Sequence, residues 1–152
     1  MTRPSTHKSL PNVWTRMLGP ICLYLVLETG TFVIVKYIVH ATVREILGPY
    51  LAFAMPGVIF LLLVGRLWKW EEDGLSSARL AFAWGLSVAL LFFAISAASF
   101  YSILKLRLVD FGAAIFAFGM MAVIGTAAGF FIPYSMTLER MSARVKPTGN
   151  SD

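Results

Sequence analysis

From Phe111 to Leu138 the chain carries no Asp, Glu, Lys, Arg or His. A run of that length cannot be left in water, and it exceeds the roughly 20 apolar residues that cross a bilayer. Three more apolar segments precede it. The four are expected at about 17–39, 46–66, 79–104 and 109–138. A soluble domain carries about 25% charged residues, whereas this chain of 152 residues carries 14%, with 58% hydrophobic. It has too little polar surface to wrap four buried helices in a water-soluble fold. Membrane strands would alternate in and out over about ten residues. These segments are continuously apolar, and helices satisfy every backbone group internally, as lipid requires.

The reading is therefore an all-α integral membrane protein, an antiparallel four-helix transmembrane bundle spanning 17–138. The connections, about 40–45, 67–78 and 105–108, are short enough to place consecutive helices side by side. Residues 1–16 and 139–152 read as polar tails. Arg3, Lys8 and Arg16 followed by Met17–Leu27 have the order of a signal peptide, but no small-x-small cleavage site follows. An uncleaved signal-anchor helix is expected. In the loop Arg66–Gly74, Gly74 is expected to end the second helix and Ser76 or Ser77 to cap the third. The acids Glu71, Glu72 and Asp73 read as a solvated turn rather than a metal site.

Charge placement gives an expected orientation. Arg3, Lys8, Arg16, Arg66, Lys69, Arg79, Arg140, Arg144 and Lys146 would share one side of the membrane. Lys36, Arg44, Lys105 and Arg107 would share the other. Basic residues collect in cytoplasmic loops, so both termini are expected inside, N-in and C-in, in a cell inner (plasma) membrane. Trp14, Trp68, Trp70, Trp84 and Tyr134 fall at the inner ends of spans. Tyr37, Tyr50 and Tyr101 fall at the outer ends, where amphipathic rings prefer to sit. The net charge of +5 has the same origin. It does not imply nucleic-acid binding, for which no compact basic domain exists.

One residue breaks the apolar pattern. Glu28 sits at mid-depth in the first span, where an acidic side chain costs about 2.5–3.5 kcal/mol on insertion scales. Helical spacing puts Tyr24, Glu28 and Thr31 on one face, extended by Ile21 and Val35. No Lys or Arg lies at that depth, so a neutral, hydrogen-bond-donating acid is expected. Two acceptors are matched in height. Pro56 in the second span frees the carbonyl of Ala52, and Thr126 lies at similar depth in the fourth. Glu28 then reads either as a proton- or cation-coupling carboxylate or as a neutral clamp between helices. A basic residue of a partner subunit is a third possibility.

The run Glu28, Gly30, Thr31, Lys36 resembles the small multidrug resistance transporters over residues 28–36. Those are four-helix proteins with a central glutamate in helix one, followed by glycine, threonine and lysine. Here the lysine is in register and the glycine and threonine are one residue early. Trp84 lies too near the inner end to stand for that family's helix-three tryptophan. The resemblance implies a Glu28 that binds a proton or a cationic drug alternately.

Small residues mark helix contacts. Gly125 and Gly129 form a GxxxG in the fourth span, extended upstream by Ala113 and Ala117. Ala81, Gly85 and Ala89 form a ridge in the third, with Ala94 and Ala98 on another face. Such ridges let backbones approach closely, within a chain or between copies. Arg107 and Asp110 read as a local pair at the start of the fourth helix. Cys22 is the single cysteine and reads as a small apolar residue of the first span. His7 and His40 fall on opposite sides of the membrane. No catalytic set, zinc spacing, metal site or phosphate loop is visible, and no cofactor is implied.

Three functional classes follow. One is a structural or accessory membrane subunit, which suits a bundle this small. Its partners would be the lipid bilayer and a second copy or a larger membrane complex. Another is a small proton-coupled transporter using Glu28. The least favoured is an enzyme of membrane lipid chemistry, since no polar cluster stands out at an interface.

Overall fold

The computed structural model describes residues 13–145. Among them every element is helical: α1 (Val13–Val39), α2 (Val43–Glu72), α3 (Ser77–Lys105), α4 (Phe111–Met120) and α5 (Thr126–Val145). A π-helical turn, Met121–Gly125, joins α4 to α5 without a break in the rod. Four stretches are long and apolar enough to cross a membrane: Thr15–Val39, Val43–Glu72, Ser77–Lys105 and Phe111–Ala143. The α3 helix has 29 residues. At about 1.5 Å each they make some 44 Å, against about 30 Å of hydrocarbon, so it tilts or projects past the headgroups. The tail residues 1–12 and 146–152 lie outside the described residues.

The helices overrun the expected spans, for local reasons. α1 begins at Val13, and Met17, where a polar tail was expected to give way, is already buried. α2 continues to Glu72 instead of giving way to a loop at 67. Leu67 is 2% exposed, and the Arg66 guanidinium lies 5.8 Å from the Trp70 ring one turn on. Arg16 reaches from α1 to Glu72 at 3.2 Å. The chain leaves the helix at Gly74. Gly74 takes φ +76°, and Leu75 N–H donates to Trp70 O at 3.1 Å, closing a Schellman turn. Ser76 then takes the N-cap position of α3, without a capping bond from its side chain.

α3 is the central helix. Leu80, Ala81, Gly85, Ser87, Ala89, Ser96, Ala98 and Ser102 are buried along it. It packs on α2 at one side and on α4, the π turn and α5 at the other, while the α1 backbone approaches α2 alone. Ser96 and Ser102 return their hydroxyl protons to the Phe92 and Ala98 carbonyls, at 2.8 and 2.7 Å. They thereby fill the role of small apolar residues. The small ridges set the closest approach. A Cβ on Gly85 would lie 2.8 Å from the Phe130 carbonyl oxygen, and one on Gly129 would lie 2.7 Å from Phe92 Cδ2. Gly125 faces the same Phe92 ring. All three glycines thus serve packing within the chain. Two aromatic clusters add to these contacts, Phe82 with Phe130 and Tyr134, and Phe93 with Phe118, Phe100 and Phe111.

The fourth span departs most from expectation. It stays one stretch, Phe111–Ala143, but an i→i+5 turn at Met121–Gly125 interrupts its α-helical hydrogen bonding just before Thr126. Nothing in that stretch marks it beyond Gly119 just before the turn and Gly125 at its end, which weaken a helix.

Candidate functional site

The stripe on α1 faces a groove. Tyr24, Glu28, Thr31 and Val35 form one wall with Leu27 and Phe32. Phe53 of α2 and Ser102, Leu106 and Leu108 at the end of α3 and beyond complete it, around about 470 Å³. A second groove of about 510 Å³ runs between α1, α2 and α3, lined by Gly57, Phe60, Leu91 and Ile95 among others. Tyr24, Leu27 and Phe53 line both grooves and so form the partition between them.

Glu28 is 8% exposed. Both carboxyl oxygens are buried, and neither has a hydrogen-bond partner. The polar group that Glu28 interacts with is the Tyr24 hydroxyl, one turn earlier on α1. Its proton goes elsewhere, to the carbonyl of Phe53 at 2.8 Å. What Tyr24 offers Glu28 is an oxygen lone pair, which only the protonated acid can use. The site therefore suits a neutral carboxyl, and an ionised one would stand in an apolar wall with no counter-charge.

The proposed acceptors are not the ones used. The proline effect was expected to expose the Ala52 carbonyl to Glu28. Instead Tyr24 reaches α2 over Gly57, whose missing side chain admits the ring, and bonds the Phe53 carbonyl. Pro56 is half-buried beside that contact. Thr126 is not brought to Glu28 at all. Its hydroxyl is buried and unpartnered, but it belongs to α5, whose backbone does not approach α1. Equal depth fixes height in the membrane, not position around the bundle. Thr31 lines the groove, and its hydroxyl donates to Leu27 O at 3.0 Å.

Sequence reasoning missed Phe53, Ser102 and a second link between α1 and α2. Thr29 Oγ1 donates to Leu25 O at 2.7 Å and lies 3.2 Å from the Tyr50 hydroxyl. Tyr50 also meets Phe32 edge to face, with centroids 5.6 Å apart. The signal was available in Gly57, the one glycine at mid-depth in the second span. The Arg107–Asp110 pair expected from sequence does not form, whereas Arg16 and Glu72 do pair, at 3.2 Å. Arg107 instead lines a separate polar cavity at the loops. Among the described residues no three His, Cys, Asp or Glu side chains come together as metal ligands. Cys22 is exposed on α1.

Compared with protein-family models, curated proteins and solved structures, the chain matches none.

Proposed function

We propose that this chain is an antiparallel four-helix protein of a bacterial inner membrane, both ends in the cytoplasm, and that it is a small proton-coupled carrier rather than an enzyme. The observation that carries the reading is Glu28, buried in the wall of an apolar groove with both oxygens unpartnered. A direct clamp between helices needs an acceptor on a neighbouring helix, and neither Ala52 nor Thr126 provides one; the Tyr24 lone pair lies on α1 itself. A carboxyl with no hydrogen-bond partner on another helix among the described residues is suited to exchange its proton for a cationic group entering the groove. The antiparallel arrangement is supported by Arg16 on Glu72 at one end of α1–α2 and Phe32 on Tyr50 toward the other. The orientation rests on the Lys and Arg distribution.

The test is proton release from purified, reconstituted protein on adding candidate lipophilic cations, with Glu28→Gln beside the parent. Release in the parent and none in the variant supports the carrier. Equal behaviour of the two removes Glu28 from the function.

A second reading, an accessory subunit, is favoured by α1, whose backbone has a single neighbour. Glu28 would then meet a hydrogen-bond donor or a basic residue on another protein. Copurification of a larger partner, lost in Glu28→Gln, would select it.

A further inference from the structure

At the end of the molecule opposite the Arg16–Glu72 pair, two loops meet. His40 and Ala41, from the α1–α2 connection, and Lys105, Leu106 and Arg107, from the α3–α4 connection, enclose a cavity of about 560 Å³ with Val39, Glu45 and Leu104. Its charge balance is two fixed cations against one carboxylate. Glu45 Oε2 accepts the Thr42 N–H at 2.8 Å and the Thr42 hydroxyl at 2.9 Å, and its charge offsets one of the two cations, leaving the cavity one positive charge in excess. Neither Lys105 nor Arg107 is in an ion pair.

The backbone holds these residues in place at a cost. His40 and Arg107 both take φ 52°, a left-handed conformation that costs a side-chain-bearing residue about 1–2 kcal/mol. Arg107 fills the seat after the end of α3, with Leu108 N–H on Ile103 O at 3.1 Å and Arg107 N–H on Leu104 O at 3.3 Å. The equivalent seat after α2 holds Gly74, the residue that such a turn favours. At the α3 end a guanidinium stands there, facing the cavity.

The cavity also has an apolar continuation. Leu106 lines both it and the groove that runs along α1, and Leu108 extends the groove mouth. A basic cavity at the ends of α1, α2 and α3, bordered through Leu106 by an apolar groove, offers adjoining surfaces to the two parts of an amphiphile. We infer that this cavity is a binding site for the phosphate headgroup of an anionic phospholipid, held by Lys105 and Arg107, with an acyl chain leaving past Leu106 and Leu108. Arginine matches a phosphate bidentately and lysine acts as a point charge. This goes beyond the Glu28 reading and does not depend on it.

The experiment is native mass spectrometry of the full chain released from mixed phosphatidylglycerol and phosphatidylcholine vesicles. At least a tenfold preference for retained phosphatidylglycerol is expected in the parent. It should vanish in Lys105→Gln/Arg107→Gln and persist in Lys36→Gln/Arg44→Gln, which removes the same charge from the same end outside the cavity. Equal loss in both variants would reduce the effect to general attraction by a basic surface and overturn the site. So would retention in the first variant, or no preference in the parent. Inorganic phosphate that displaces the lipid at equal concentration would assign the cavity to a free anion instead, overturning the lipid source. Should Lys105→Gln/Arg107→Gln fail to fold, the unaltered protein decides. At 1 M salt the screening length falls to about 3 Å, so these exposed contacts must weaken and the preference collapse. A preference that survives overturns the proposal.

Discussion

Tyr24 and Gly57 meet where a Cβ on α2 would overlap the Cζ–hydroxyl end of the phenol. The contact lets α1 lie close enough for the Tyr24 hydroxyl to reach the Phe53 carbonyl. Gly57→Ala is expected to force α1 away, costing about 1–3 kcal/mol, as overpacking does. Reversible unfolding in bicelles would measure it. Combined with Tyr24→Ala, the loss should be well below the sum of the two, because both act on one contact.

Tyr24→Phe isolates the hydrogen bond from the packing. The ring stays and the donor goes, so a loss of about 1 kcal/mol is expected, smaller than for Gly57→Ala. A loss as large as that of the glycine variant would mean the hydroxyl, not the fit, holds the two helices together.

Glu28 gives the opposite sign. Its carboxyl makes no bond to another helix, and the acid is costly at that depth. Glu28→Leu should therefore stabilise the protein by about 2 kcal/mol in the same unfolding assay, while abolishing proton release. A destabilised leucine variant would show that Glu28 has a structural partner.

These contacts divide by how much of them the sequence carries. The four spans are legible because length and absence of charge alone force a helix into lipid. The Tyr24, Glu28 and Thr31 stripe is legible because helical spacing fixes which residues share a face. Which carbonyl on α2 meets that stripe is not legible. Pro56 points to Ala52, but the register is set by where α2 is thinnest, at Gly57, and that selects Phe53. Thr126 fails for a similar reason, since depth says nothing of azimuth. The π turn has no counterpart in hydropathy at all.

Arg16 and Glu72 pair at 3.2 Å, with side chains 40% and 55% exposed. An exposed pair of this kind contributes about 0–1 kcal/mol and is screened by salt. Arg16→Ala should leave the unfolding midpoint nearly unchanged at 0.5 M salt. A large shift would place this end in a drier environment than its exposure indicates.

The three glycines between α3 and the fourth span should not be equivalent. Alanine gains about 0.5–1 kcal/mol over glycine inside a helix, so each substitution sets that gain against a clash. At Gly85 the obstacle is the Phe130 carbonyl oxygen, 2.8 Å from the new Cβ. Backbone cannot turn aside, so the two helices must separate. At Gly129 the obstacle is Phe92 Cδ2 at 2.7 Å, but that ring is 43% exposed and can rotate toward lipid. At Gly125 the same ring stands 3.3 Å away, a contact that a few tenths of an ångström relieve. Gly85→Ala should therefore destabilise by about 1–3 kcal/mol. Gly129→Ala should cost less, and Gly125→Ala should be neutral or slightly stabilising. Unfolding free energies of the three variants in one bilayer mimic give the order. An order led by Gly125 would mean that the GxxxG face packs against a second copy, where any added methyl is felt, rather than against Phe92.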